Sequence, residues 1–235
     1  MMFTKIDKIK LDNYFNELAR IYKKKVHNYM AEFILVGGAS ILVNYDFRNT
    51  TNDIDAYFLP SSDINEAIKG VSDKYNININ WINSDFKNTK SYSNKIAEFS
   101  SFYKTYKEII EVRTIKDEYL VAMKLMSGRI YKNDMSDIVG IINTSRKNGK
   151  NFTYDSIDTA VKNLYGSWDD IKDEVKEILN KILSTNDLNK LYNSIMDDEK
   201  NARQQLIEFN DKYEDVLNES NINDILKMLR KNAKQ

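Results

Sequence analysis

The feature that most constrains the fold is a single stretch, residues 33–58. In it a short apolar run ends in two glycines, and two closely spaced aspartates follow after a polar loop. The apolar run has the length of a buried strand, and a short helix is predicted directly after Gly37 and Gly38. A second strand is expected to carry Asp53 and Asp55. Residues two apart in a strand face the same way, so their carboxylates should stand side by side.

Two adjacent carboxylates repel, which raises the pKa of one of them unless a cation lies between them. Magnesium suits such a pair, because it takes oxygen ligands and few protein carboxylates. The glycine turn lets the backbone come close to a ligand, and the helix after it offers free N–H groups to a phosphate. The alternative is an ordinary tight turn beside two solvated acids. Aspartate is disfavoured in strands, so the pair favours phosphoryl or nucleotidyl transfer.

Three sequence elements carry a resemblance to a known family. The order strand, Gly-Gly, short helix and Thr-x-Asp-Ile-Asp resembles the nucleotidyltransferase fold of the DNA polymerase beta superfamily. More narrowly, Gly-Gly-Ala at 37–39 with Thr-Asn-Asp-Ile-Asp at 51–55 resembles the AbiEii/AbiGii-type toxins of bacterial toxin–antitoxin systems. Residues 119–125 and 132–138 are similar to that family's Leu-x-Ala-x-Lys-Leu helix and Lys/Arg-Asp-Leu-x-Asp-Ile element. The resemblance implies an α+β fold with a mixed sheet flanked by helices. It covers roughly residues 33–138, and the all-helical C-terminal part is predicted from the helical pattern of the residues beyond it.

The resemblance also implies roles for individual residues. Asp53 and Asp55 would hold magnesium against a nucleoside triphosphate, and Lys124 would neutralise charge on the phosphates. The residues expected to contact the nucleotide are Gly37, Gly38, Ser40, Arg48 and Thr51.

Two of these residues lie on the loop that enters the second strand. Thr51 matches the family position. The family arginine usually stands four residues before the first aspartate, where this chain has Asn49, and Arg48 lies one residue further upstream.

A further acid is expected at the site, and three candidates exist. Glu111 lies in a predicted strand, residues 107–115, and could equally be a solvent-facing glutamate. Asp85 follows another predicted strand and is the alternative third metal ligand. Asp137 is predicted to orient Lys124 or the acceptor hydroxyl, whereas Asp134 could simply cap a helix.

Composition excludes several other chemistries. The chain of 235 residues has no cysteine, which excludes disulfides and thiolate chemistry. His27 is the one histidine, so a Ser-His-Asp triad or a multi-histidine zinc site is not expected, and we interpret it as a helix-end residue. Lys plus Arg and Asp plus Glu are equal at 35 each, so there is no global basic field. No apolar run could span a bilayer and no signal-peptide core is visible, so we expect a cytoplasmic protein without a membrane partner.

Two domains are predicted, 1–150 and 151–235, joined by a polar linker at 143–151. The C-terminal domain is interpreted as a helical cap that closes over the site or contacts the acceptor. Helices are predicted at 7–28, 64–75, 118–129, 156–164, 168–183, 186–196, 201–217 and 221–229, strands at 77–82 and 107–115, and loop and short helix at 86–106.

The leading hypothesis is a magnesium-dependent nucleotidyltransferase that moves a nucleoside monophosphate from a triphosphate to an acceptor. The resemblance points to RNA, particularly tRNA, or to protein as acceptor, with growth arrest as the outcome and a cognate antitoxin as partner. One alternative is a catalytically silent binding or regulatory module of the same fold. The other is a small-molecule nucleotidyltransferase of the antibiotic-modifying kind.

Overall fold

A computed structural model describes residues 5–26, 29–150, 152–218 and 221–232, so the prediction for His27 lies outside the described residues. The strands are β1 (Ala31–Leu35), β2 (Ile54–Tyr57), β3 (Ile82–Asn83), β4 (Ser100–Tyr106) and β5 (Ile110–Ile115). The helices are α1 (Lys8–Lys23), α2 (Gly37–Asn44), α3 (Ser62–Tyr75), α4 (Asp117–Ser127), α5 (Asp134–Lys147), α6 (Tyr154–Tyr165), α7 (Asp173–Ser184), α8 (Leu188–Lys212) and α9 (Ile222–Asn232).

The strands form one mixed sheet in the order β3-β2-β1-β5-β4. The central strand β1 pairs antiparallel with β2 and parallel with β5. The sheet is flanked by helices and followed by a helical C-terminal part, which confirms the predicted α+β class.

The two faces of the sheet belong to two apolar clusters. On β1, Phe33 and Leu35 lie in the cluster with α1 and α3, whereas Ile34 lies in the cluster with α4 and α5. The same alternation on β2 places Ile54 and Ala56 on the α1 side. Asp55 therefore faces the α4 side, because side chains alternate along a strand.

Two predictions about the strands were wrong. Residues 100–106, expected in a loop, form the edge strand β4, which turns into β5 through Lys107 and Glu108 at positive φ. The strand predicted at 77–82 is mostly a 3-10 turn, and β3 keeps two residues. The buried Trp81 ends that turn and donates its indole N–H to the carbonyl of Ile68 (3.2 Å). A buried indole nitrogen needs such a partner, and this contact favours the turn over a longer strand.

The C-terminal half also differs from the prediction. Residues 143–147, expected in the linker, continue α5, and the two helices predicted at 186–196 and 201–217 are one 25-residue helix, α8. One apolar cluster extends from α4 and α5 through the later helices to Leu226 of α9. The domain boundary near residue 150 stays a prediction. Among the described helices, none is long and apolar enough to cross a membrane.

Candidate active site

The glycine turn lies against Asp55. The Val36 N–H donates to the Asp55 carbonyl (3.0 Å), which holds the end of β1 beside the start of β2. Gly37 has φ +55°, and a Cβ added there would lie 3.2 Å from the Asp55 Oδ2 atom. Glycine is therefore needed at this position for two reasons: the backbone is left-handed, and the carboxylate approaches closely.

Gly38 makes room for two side chains from the loop before β2. A Cβ at this position would lie 2.9 Å from Thr51 Oγ1 and 3.3 Å from Arg48 Nη1. The loop is held in place by paired backbone bonds between Thr51 and Ile6 (both 2.8 Å). The one-residue offset of Arg48 in the sequence thus does not keep it away from the turn.

Ser40 lies inside the protein rather than at the surface of the turn. It is fully buried, and its hydroxyl has no hydrogen-bond partner within the described part of the chain. In this structure the Ser40 hydroxyl is therefore not exposed to a phosphate, although the sequence predicted that contact. The free N–H groups at the start of α2, which has no side-chain cap, remain as the donors of the turn.

The two predicted metal ligands lie near each other. Asp55 is in β2, while Asp53 lies in the bend that precedes it rather than in the strand as predicted. Burial raises the pKa of Asp55 to about 6, and the nearby Asp53 carboxylate adds to this, against the opposing charges of Lys124 and Arg129. A carboxylate whose pKa is raised by burial and by a second carboxylate has the electrostatics that a divalent cation relieves.

Lys124 is at the centre of a buried ion-pair cluster. It is 7% exposed, and its Nζ atom lies 2.8 Å from Asp134 Oδ1 and 2.8 Å from Asp137 Oδ2. Burial alone would lower the pKa of Lys124, but the two carboxylates outweigh it and raise the pKa. Lys124 therefore carries its charge at neutral pH, and that charge is balanced inside the protein.

Two arginines flank this cluster. Arg48 Nη1 donates to Asp137 Oδ2 (2.8 Å), and Arg129 Nε donates to Asp134 Oδ2 (2.8 Å). The charges thus alternate from Arg48 through Asp137, Lys124 and Asp134 to Arg129. Arg48 ends beside Gly38, and Arg129 acts electrostatically on Asp55, so the two ends of the chain of charges lie beside the glycine turn and beside the acid pair.

Arg129 was not found by the sequence reasoning. It follows Gly128, which ends α4 in a left-handed conformation, and its side chain is 35% exposed. The available signal was its position, directly after the glycine C-cap of the helix that carries the site lysine.

The two candidates for a third metal ligand lie in different places. Glu111 pairs with Arg113 (2.9 Å) and stands beside Glu32 at the start of β1, four residues before Val36. That is about 13 Å along the strand at ~3.3 Å per residue, so the structure does not bring Glu111 to the Asp55 end of the sheet.

Asp85 follows the residue that pairs with Asp55 across the sheet. Asn83 on β3 is the partner of Asp55 on β2, and Asp85, two residues on, contributes to the raised pKa of Asp55. No three His, Cys, Asp or Glu side chains are grouped as a ready metal site in the part of the chain that the structure describes. A two-carboxylate site still fits magnesium, which is commonly held by one or two carboxylates together with substrate phosphates.

We expect Gly37→Ala to cost about 1–2 kcal/mol through the left-handed backbone and to push the Asp55 carboxylate aside. A displacement of about 1 Å at a reacting centre can lower the rate on the order of 100-fold. Gly149→Ala is the matched control, because Gly149 has φ +73° with no atom within 4 Å of the added Cβ. Equal loss of transfer activity in the two variants would contradict a specific role for the Gly37 contact.

A mixed sheet with a glycine turn set against an aspartate of the neighbouring strand, and with lysine and arginine side chains nearby, agrees with the nucleotidyltransferase class. The chain belongs to the family described as "Nucleotidyltransferase of unknown function (DUF6036)", which matches residues 10–144. The matched part runs from α1 into α5 and contains every site residue described above. No curated protein and no solved structure matches the chain.

Proposed function

We propose that the chain is a magnesium-dependent nucleotidyltransferase that moves a nucleoside monophosphate from a nucleoside triphosphate to an acceptor hydroxyl. The observation that carries the proposal is the contact between the glycine turn and Asp55, 3.2 Å from the added Cβ of Gly37, with Asp53 close by. This contact supports the proposal because a glycine turn suited to a phosphate and two carboxylates suited to magnesium lie close together. Membership of a nucleotidyltransferase family supports the same reaction class.

The residues divide the work of binding. Asp53 and Asp55 would hold magnesium, which when bound neutralises charge on the phosphate oxygens. The N–H groups at the start of α2 face the phosphates, and the arginines Arg48 and Arg129 add positive charge on either side. Catalysis of this kind depends mainly on positioning and electrostatics.

The reaction is an in-line displacement at the α-phosphorus. The acceptor oxygen forms a bond to phosphorus, the bond to the β-phosphate oxygen breaks, and pyrophosphate leaves with the bonding electrons. The acceptor proton goes to Asp85 in this proposal. Asp85 is exposed and near Asp55, whereas Asp137 is engaged by Lys124 and Arg48.

The acceptor and the biological role are proposed from the motif resemblance. The elements at 37–39, 51–55 and 132–138 resemble AbiEii-type toxins, so we propose RNA, in particular tRNA, as the acceptor. The same resemblance supports a toxin that arrests growth and a cognate antitoxin that binds it.

The test is to incubate the pure protein with magnesium and each α-³²P-labelled nucleoside triphosphate. Separate reactions contain total tRNA, no acceptor, or aminoglycosides. Label on tRNA supports the proposal in full. Label on the protein alone or on an aminoglycoside would support the nucleotidyl transfer reaction but contradict RNA as the acceptor. The absence of label on any acceptor would overturn the enzyme proposal in favour of a silent binding module.

A further inference from the structure

Glu199 is a buried carboxylate on α8 that binds the first turn of α5. It is 2% exposed. Its Oε1 atom accepts from the backbone N–H of Met135 (2.8 Å) and of Ser136 (3.2 Å). Its Oε2 atom accepts from the Ser136 hydroxyl (2.5 Å). Glu199 therefore supplies the cap of a helix to which it does not belong.

The first turn of α5 lacks a cap of its own. Asn133 occupies the N-cap position but makes no side-chain hydrogen bond to the turn. Helix-starting N–H groups need an acceptor, and a local Ser, Thr, Asp or Asn usually provides it. The same turn carries Asp134 and Asp137, which hold Lys124 and the two flanking arginines.

A single face of α8 contacts two of the segments that carry charges of the site, the start of α5 and the loop with Arg48. Tyr192, Glu199 and Arg203 are spaced by seven and four residues, which places them on one side of a helix. Arg203 Nη2 donates to Asn133 Oδ1 (2.8 Å), just before α5. The Tyr192 ring meets the ring of Phe47, the neighbour of Arg48, edge to face at 5.9 Å.

A remote buried carboxylate is an expensive way to cap a helix. Burial raises the pKa of Glu199 to about 7, although the bonds from Ser136 and Met135 favour its charged form. An exposed local cap would satisfy the same N–H groups without removing a carboxylate from water. What the remote cap adds is a fixed position of the α5 turn relative to α8.

We propose that Glu199 is a positioning residue for the site. It fixes the α5 turn that carries Asp134 and Asp137, and these two acids in turn hold the arginine side chains that contact the triphosphate. This role rests on the proposed function. It also assigns a task to the helical C-terminal part, because α8 lies beyond residues 10–144 of the family match.

The experiment compares three substitutions at this position in the full-length protein. Glu199→Gln keeps an acceptor for both N–H groups and should keep most of the activity. Glu199→Ala removes the cap, and Glu199→Asp keeps the charge but withdraws it from the turn. Asp198→Ala is the matched control, an exposed neighbour on the same helix.

Two readouts separate the possible outcomes. Amide hydrogen exchange at Met135 and Ser136 should accelerate in Glu199→Ala and Glu199→Asp only. The KM and the Kd for the triphosphate should rise about 10- to 100-fold in the same two variants, with a smaller change in kcat. Losses of this size are typical when a residue that orients the ligands of a site is removed.

Unchanged exchange at Met135 and Ser136 would overturn the positioning role, and so would faster exchange with unchanged KM and Kd. If Glu199→Ala does not fold, Glu199→Asp decides by the same two readouts. A wild-type protein that neither binds triphosphate nor transfers label would instead overturn the proposed function, and this role with it, whatever the exchange rates.

Discussion

Asp55→Asn is expected to abolish nucleotidyl transfer and at the same time to stabilise the metal-free protein. Loss of a metal-binding carboxylate removes several kcal/mol of charge stabilisation, so the rate should fall at least about 1,000-fold. Stability should rise because the partly buried, ionised Asp55 lies close to Asp53. An asparagine has nearly the same shape and no charge to desolvate.

The pH dependence of this gain follows from the raised pKa. The carboxyl group of Asp55 holds its proton more tightly in the folded state, with a pKa of about 6 against an ordinary value of 3.8. The stability it contributes is full below pH 3.8 and is lost as pH rises through about 6. At pH 8 the free energy of unfolding of Asp55→Asn should therefore exceed that of wild type by roughly 1–3 kcal/mol, since one pKa unit corresponds to about 1.4 kcal/mol.

Thermal unfolding with and without magnesium checks this prediction. Magnesium should raise the Tm of wild type but not of Asp55→Asn. Asp73→Asn makes the same chemical change on the exposed face of α3 and should alter neither activity nor Tm. A variant at Asp55 that keeps a tenth of the wild-type rate would contradict the metal assignment, and equal Tm values at pH 8 would contradict the electrostatic argument.

The parts of the site that were predictable from sequence are those encoded locally. Gly37 and Asp55 belong to one short stretch, and the chain between them is a helix and a loop that return directly to the next strand. Lys124 and Asp137 are separated by one helix end and a short connection. In each case the turn chemistry and the period of the element already bring the side chains close.

The parts that were missed depend on contacts between distant segments. Glu199 lies in the charged run Asp-Asp-Glu-Lys, whose polarity suggests a break between helices, and only the packing of α8 on α5 shows that one of these acids is buried. The edge strand β4 is rich in polar residues because an edge is partly solvated, so its alternation is weak. Neither is visible before the partner element is known.

Lys124→Ala is expected to destabilise the protein rather than only to slow the reaction. Lys124 lies 2.8 Å from each of two buried carboxylates, Asp134 and Asp137. Burial disfavours the charged form of Asp134, but Lys124 and Arg129 hold its pKa well below its usual range. Removing one partner of a buried ion pair costs about 3–5 kcal/mol, and here two buried carboxylates lose their shared cation and keep one arginine each. Denaturant unfolding followed by circular dichroism measures the loss, and Lys124→Met separates the charge from the volume of the side chain.

Arg129→Met is the contrasting variant, because the Arg129 side chain is 35% exposed and lies at the outer end of the same cluster. Its removal should lower the affinity for triphosphate about 10- to 100-fold, since a hydrogen bond to a charged group contributes about 1.5–3 kcal/mol. Its free energy of unfolding should fall much less than that of Lys124→Ala. These two variants test whether Lys124 is a structural cation inside the protein while Arg129 contacts the triphosphate. If Lys124→Ala instead unfolds at the wild-type denaturant concentration and binds triphosphate poorly, Lys124 contacts the substrate directly and this assignment is wrong. Unaltered triphosphate affinity in Arg129→Met would contradict the role of Arg129 in binding the triphosphate.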